Sequence, residues 1–125
     1  MKRAVPVKDG IWWVGALNPD LKVFDIVMTT EFGTTYNSYL VKGSQKTALI
    51  EAVKDGFLPE FLERIKEVVD PSSIDFLILN HTEPDHTGSV AELLKIAPQM
   101  TVVGSQIALT FLAEIANRDF RSMAV

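Results

Sequence analysis

Cysteine is absent from the sequence, and histidine occurs only twice. Without thiols the chain has no disulfide, no thiolate zinc or Cys-ligated iron–sulfur centre, no thiolate-bound haem and no Cys nucleophile. Any redox chemistry must use other ligands or a bound organic cofactor. Basic residues are also few: 12 Lys and Arg stand against 16 Asp and Glu, giving a net charge of −4. With a pI near 5.1 and no cation cluster to neutralise phosphates, no nucleic-acid partner is expected. No run of about 18 apolar residues occurs, and Met1-Lys2-Arg3-Ala4-Val5-Pro6 is not followed by the apolar stretch of a signal peptide. The expectation is therefore a cytoplasmic protein with no membrane association.

What is present suits a folded domain. Apolar residues make up 47% and charged residues 22% of 125 positions, enough for a core and of a length for one domain. There are no internal repeats, linkers or low-complexity tracts. The first third reads as strands. Val5 to Lys8 and Ile11 to Ala16 flank Asp9-Gly10, a pair that tolerates the positive φ of a tight hairpin turn. Asn18-Pro19-Asp20 breaks the ladder, and Val23 to Thr29 is a further expected strand. The polar connection Glu31 to Thr35 leads into Tyr36 to Lys42, whose hairpin partner is Lys46 to Ala52.

At Leu58 the period changes. Leu58, Phe61, Leu62, Ile65 and Val69 are apolar at helical spacing, while Glu60, Glu63, Arg64, Lys66 and Glu67 fill the polar face. Pro59 suits a first helical turn, and Asp70-Pro71-Ser72-Ser73 ends the helix. Ile74 to Leu79 is nearly all apolar, as expected of a strand buried on both faces. Ser89-Val90-Ala91-Glu92 has capping-box spacing and opens a second helix, which Pro98 stops. Thr101 to Gly104 is a short strand and Ser105 to Asn117 a third helix, apolar on most of its circumference. Arg118 to Val125 carries no clear stop signal. The order is strands first, then α-β-α-β-α.

Between the buried strand and the second helix lies Asn80-His81-Thr82-Glu83-Pro84-Asp85-His86-Thr87-Gly88, which holds both histidines of the protein. A loop at the C-terminal end of a strand is where open α/β sheets place ligands. Alternate residues of an extended loop share a side, so His81, Glu83 and Asp85 can converge while His86 turns to an adjacent point. Two imidazoles and two carboxylates suit first-row metals that accept N and O donors, namely iron, manganese or zinc. The alternative is a solvated turn in which Asp85 and Thr87 bond local amides. Tyr36 and Tyr39 are read as strand packing. Trp12 and Trp13 point to opposite faces, one to the core and one to an edge, and Asn37 is read as a brace behind the loop.

His-x-Glu-x-Asp-His after an apolar strand resembles the metal motif of the metallo-β-lactamase superfamily, whose common form has His where this chain has Glu83. The Glu form, within Ile78-Leu79-Asn80-His81-Thr82-Glu83-Pro84-Asp85-His86-Thr87-Gly88-Ser89, is similar to flavodiiron proteins, the diiron oxygen and nitric oxide reductases. The similarity extends upstream through Gly10 to Ala16, Gly33 to Val41 and Ala48 to Glu51.

This resemblance implies an α/β (α+β) fold, the N-terminal half of a metallo-β-lactamase-like αββα sandwich, over residues 1–125. It implies that His81 and Glu83 bind one iron and Asp85 and His86 the other, with no catalytic residues separate from these ligands. The parent protein would reduce O2 to water or NO to N2O with electrons from an FMN domain that this chain lacks, fed by a redox partner such as rubredoxin. In the family, a further His, a bridging acid and a last His follow downstream. No His occurs after His86, so the chain alone is expected to be inactive and to bind iron, zinc, nickel or another divalent metal weakly. With its second sheet missing, the chain is expected to form a homo-oligomer through the exposed sheet face. Two other functions compete: a zinc-dependent hydrolase of the same superfamily, and a non-catalytic self-associating module.

Overall fold

The computed structural model describes residues 2–19, 23–24, 28–29, 34–80, 89–116 and 119–125. Eleven strands occur among them: β1 (Val5–Lys8), β2 (Ile11–Trp13), β3 (Ala16–Asn18), β4 (Val23–Phe24), β5 (Met28–Thr29), β6 (Thr34–Tyr36), β7 (Tyr39–Lys42), β8 (Thr47–Ile50), β9 (Phe76–Ile78), β10 (Thr101–Gly104) and β11 (Arg121–Ala124). Three α-helices join the later strands: α1 (Leu58–Lys66), α2 (Val90–Ile96) and α3 (Gln106–Ala116).

Seven strands form one sheet in the order β1-β2-β7-β8-β9-β10-β11. The first four pair antiparallel, and β8 through β11 pair parallel. The change of direction follows from the connections. Asp9-Gly10 reverses the chain in two residues, with Gly10 at φ +77°, whereas α1, α2 and α3 each supply the crossover that parallel neighbours require. β3 pairs with β6, and β4 with β5, in two small ribbons beside the sheet order.

Register sets the core. Leu40, Leu49, Leu77 and Val102 lie opposite one another across four strands, and all four are fully buried. They share one cluster with Phe61 and Ile65 of α1, Leu93 and Leu94 of α2, and Leu109 and Leu112 of α3. The helices therefore cover this face. Side-chain alternation sends Tyr39, Ile50, Ile78 and Val103 to the other face, where each is half-buried. The Ile74–Leu79 stretch is thus not buried on both sides as expected: Leu77 is covered, Phe76 and Ile78 only partly.

Other expectations are adjusted. The strand expected from Ile11 to Ala16 divides at Val14-Gly15, and Ala16–Asn18 turns away to pair with β6. Gly15 permits this corner, because a Cβ there would lie 1.9 Å from the Tyr36 carbonyl oxygen. The strand expected over Val23 to Thr29 is instead two short strands paired to each other. Tyr36 and Tyr39 fall on different strands. Tyr36 is buried, its ring centroid 5.2 Å from that of Phe57, and its hydroxyl accepts from Asn18 Nδ2 at 2.8 Å. Ser105 precedes α3 and its Oγ accepts from Ala108 N at 3.1 Å. β11 has no counterpart in the sequence reading. Among the described residues, no helix is long and apolar enough to cross a membrane.

The polar face of α1 is not simply solvated. Arg64 is buried, with its Nε donating to the Arg3 carbonyl at 3.1 Å and its Nη1 to the Gly15 carbonyl at 2.8 Å. Its guanidinium lies 4.8 Å from the Trp13 ring centroid and pairs with Glu60 one turn earlier. Glu60 also accepts from Leu17 N at 2.9 Å, and Glu67 accepts from Ala4 N at 3.0 Å and pairs with Arg3. Positions 60, 64 and 67 form a stripe that ties the N-terminal strands to α1. Burial, the largest single influence on Glu60, raises its pKa, yet the bonds from Arg64 and Leu17 and the charges of Arg64 and Lys2 together hold it below the usual value of 4.5. A carboxyl depressed in the folded state stabilises above its unfolded pKa and loses that contribution as pH falls through the folded pKa. Urea midpoints of the wild type are therefore expected to fall below about pH 4.5, and those of E60Q to fall less over the same interval. Parallel slopes would show that the clamp is electrostatically idle.

Candidate metal centre

His81, Glu83, Asp85 and His86 lie outside the described residues, as do Thr87 and Gly88; the structure defines what holds the two ends of their segment. At its start, β9 delivers the chain to Leu79, whose N–H donates to the Val103 carbonyl at 2.8 Å, and to Asn80. Asn80 N donates to Glu51 Oε1. At its end, Ser89 leads into α2. Ser89 N donates to the Val53 carbonyl at 3.1 Å, Ser89 Oγ donates to the same oxygen at 2.9 Å, and Val53 N donates to Ser89 Oγ at 3.4 Å. The two ends are therefore fastened to Glu51 and Val53, two residues of the stretch that leaves the C-terminal end of β8.

Glu51 is the residue the sequence reading passed over. It was part of the matching stretch Ala48 to Glu51 but was given no role. Its φ is +66°, the left-handed region that residues with a Cβ rarely occupy. The side chain is buried. Two bonds fix its backbone: Glu51 N donates to the Ile78 carbonyl at 2.9 Å, and buried Ser38 donates from Oγ to the Glu51 carbonyl at 2.9 Å. The available signal was an acid placed directly after the apolar strand Thr47–Ile50, where burial is the default and a carboxylate needs a reason.

Two other expectations change. Ser89 does not cap α2 with its side chain, although Ser89 and Glu92 have capping-box spacing. Its backbone is already helical, at φ −88° and ψ −4°, and no cap bond forms, because the hydroxyl bonds Val53 instead. Asn37 accepts from Trp13 Nε1 at 3.0 Å. It therefore braces Trp13, whose ring also meets Arg64 and which sits on an interior strand and not at an edge, while Trp12 packs on the core as expected of one tryptophan.

The location suits ligands, because the segment leaves the C-terminal edge of the parallel strands β8, β9 and β10. Among the described residues no group of three or more His, Cys, Asp or Glu could hold a metal ion. The donors of residues 81–86 fit iron in kind, with two imidazoles, two carboxylates and no thiolate in the chain. Glu51, bonded to a backbone amide, supports the segment.

E51A removes the acceptor of a part-buried amide and keeps the left-handed φ, so a loss of about 1–3 kcal/mol is expected. E51G lacks the carboxylate too but relieves the Cβ clash of left-handed backbone, about 1–2 kcal/mol. Urea unfolding is expected to rank wild type above E51G and E51G above E51A, despite glycine's greater freedom when unfolded. The reverse order of the two variants would contradict a strained corner.

A family model described as "ODP family beta lactamase" matches residues 34–124. The flavo-diiron protein FprA2 of Clostridium acetobutylicum is 52% identical over 93% of this chain, and the type A flavoprotein fprA of Rhodobacter capsulatus is 46% identical over 93%. The chain spans 29% and 27% of these relatives, less than a third of their length. Among solved structures, the rubredoxin oxygen:oxidoreductase of Desulfovibrio gigas superposes with a TM-score of 0.92 at 31% identity, over 98% of this chain and 31% of that one. Fold, motif position and similarity agree: the chain belongs to the ODP beta-lactamase family and corresponds to the N-terminal part of the metallo-β-lactamase-like domain of flavodiiron proteins.

Proposed function

We propose that this chain is the metal-binding part of a flavodiiron oxidoreductase, with His81 and Glu83 holding one iron and Asp85 and His86 the other. The observation that carries the reading is that an N/O-donor segment is fastened at both ends at the C-terminal edge of a parallel sheet, in a chain 52% identical to a flavo-diiron protein. When bound, an iron pair supplies the redox chemistry that reduces O2 to water or NO to N2O. The chain's own residues hold the donors in place: Glu51 binds the Asn80 amide ahead of His81, and Ser89 ends the segment after His86. A carboxylate at position 83, in place of a third imidazole, adds negative charge and a hard donor, which favours a readily oxidised metal over zinc. Glu83 therefore speaks against the hydrolase reading. FMN on a separate domain and a rubredoxin-type electron donor complete the proposed reaction, and the proposed location is the cytoplasm.

The half-buried face of Tyr39, Ile50, Ile78 and Val103, with half-exposed Met123 beside Val103, supports the proposal that this chain, as given, self-associates sheet on sheet. A stable interface of this kind buries about 800 Å² per partner.

Anaerobic Fe(II) titration tests the metal assignment. H81A/E83A is expected to weaken binding at least tenfold relative to the wild type, and small-angle scattering is expected to give the same dimer for both. Unchanged Fe(II) affinity in the double variant would overturn the ligand assignment. A compact monomer at micromolar concentration would overturn self-association, and dimers alone, without metal in either protein, would leave the non-catalytic module as the better reading.

A further inference from the structure

Two serines are buried completely or nearly so, Ser38 at 0% and Ser89 at 1% exposure, and neither belongs to the proposed ligand set. A buried hydroxyl needs partners, and both serines find theirs at the connection after β8. Ser38 donates to the Glu51 carbonyl, and Ser89 exchanges bonds with both backbone polar groups of Val53. The bonds of Ser89 span 36 positions in sequence. At this position the sequence offers a local alternative, the helix cap, and the fold does not use it.

We infer that Ser89 is a positioning residue for the proposed metal ligands: by bonding Val53 rather than capping α2, it fixes the end of the 81–88 segment relative to its start at Asn80. This rests on the metal reading above. The physical basis is the shared base. Asn80 is held by Glu51 and Ser89 by Val53, and Glu51 and Val53 are two residues apart on one connection whose backbone Ser38 also holds. The separation of the two ends is thus set by a short, bonded piece of chain and not by the segment itself. Loss of the Ser89 hydroxyl removes two of the three bonds between Ser89 and Val53 and so loosens one end: Val53 N–H loses that acceptor, while the Val53 carbonyl keeps the bond from Ser89 N. Outer-shell partners of metal ligands typically contribute about 10- to 100-fold to metal affinity.

The test uses the full chain, with Co(II) as the probe. S89A is expected to bind Co(II) about tenfold more weakly than the wild type, with shifted visible d–d bands, while its far-UV circular dichroism is unchanged. Hydrogen exchange is expected to show faster exchange at the Val53 amide and across residues 80–90 only. S89T keeps the hydroxyl and is expected to stay near the wild type in both readouts. If S89A does not fold, S89G takes its place. Wild-type Co(II) affinity and band positions in the folded hydroxyl-less variant overturn the inference, as does a folded S89T as weak as S89A, since packing would then be the cause. If the wild type takes up no Co(II), the metal reading fails, and exchange alone decides: unchanged protection of residues 80–90 in S89A overturns the anchor.

Discussion

The corner at Glu51 is the constraint on which the rest of this structure hangs. A residue with a Cβ in left-handed backbone costs about 1–2 kcal/mol, and the surroundings hold it there: the Ile78 carbonyl receives its N–H and Ser38 donates to its carbonyl. By turning at φ +66° the chain leaves β8 at the sheet's C-terminal edge, sends its carboxylate to the Asn80 amide, and brings Val53 to Ser89 two residues later. One short connection therefore serves as the base for both ends of the segment that carries every imidazole of the protein. Strain at a corner of this kind persists only where several bonds over-determine it, and here they come from Ser38 just before β7, from Ile78 of β9 and, two residues on at Val53, from Ser89.

The sheet presents two unlike faces. Leu40, Leu49, Leu77 and Val102 are sealed by three helices, while the row of Tyr39, Ile50, Ile78 and Val103 is covered only in part. At the N-terminal end, the clamp of Arg64, Glu60 and Glu67 does for the first strands what the Glu51 corner does for the motif, joining pieces far apart in sequence through buried and part-buried charge-assisted bonds. Arg64 makes this affordable by meeting two backbone carbonyls, Glu60 and an aromatic face at once, so that its charge is not left without partners.

Much of this was legible in the sequence. The helical period from Leu58 to Ile65, the Asp9-Gly10 reversal and the apolar run before Asn80 each gave the right element, because local signals and tertiary packing agree there. The donor set could be listed for the same reason: both histidines fall in one stretch. What could not be read depends on distant partners. Arg64 sits where helical spacing assigns a solvated face, and its distant partners, the carbonyls of Arg3 and Gly15 and the Trp13 ring, explain its burial. Ser89 fits a cap, and only Val53 explains its diversion. Glu51 looks like a strand-end acid until its φ is known. β11 is a four-residue exposed edge with no alternation to reveal it, and it exists because β10 offers an open ladder.

The central proposal is that the segment between Asn80 and Ser89 holds iron through His81 and Glu83, as expected of a flavodiiron domain. The most direct measurement is anomalous diffraction from anaerobic crystals of the chain grown with Fe(II) as the only transition metal, recorded on both sides of the iron absorption edge. Iron-specific density is expected in contact with the His81 and Glu83 donors. Absence of iron-specific density on those donors would contradict the proposal.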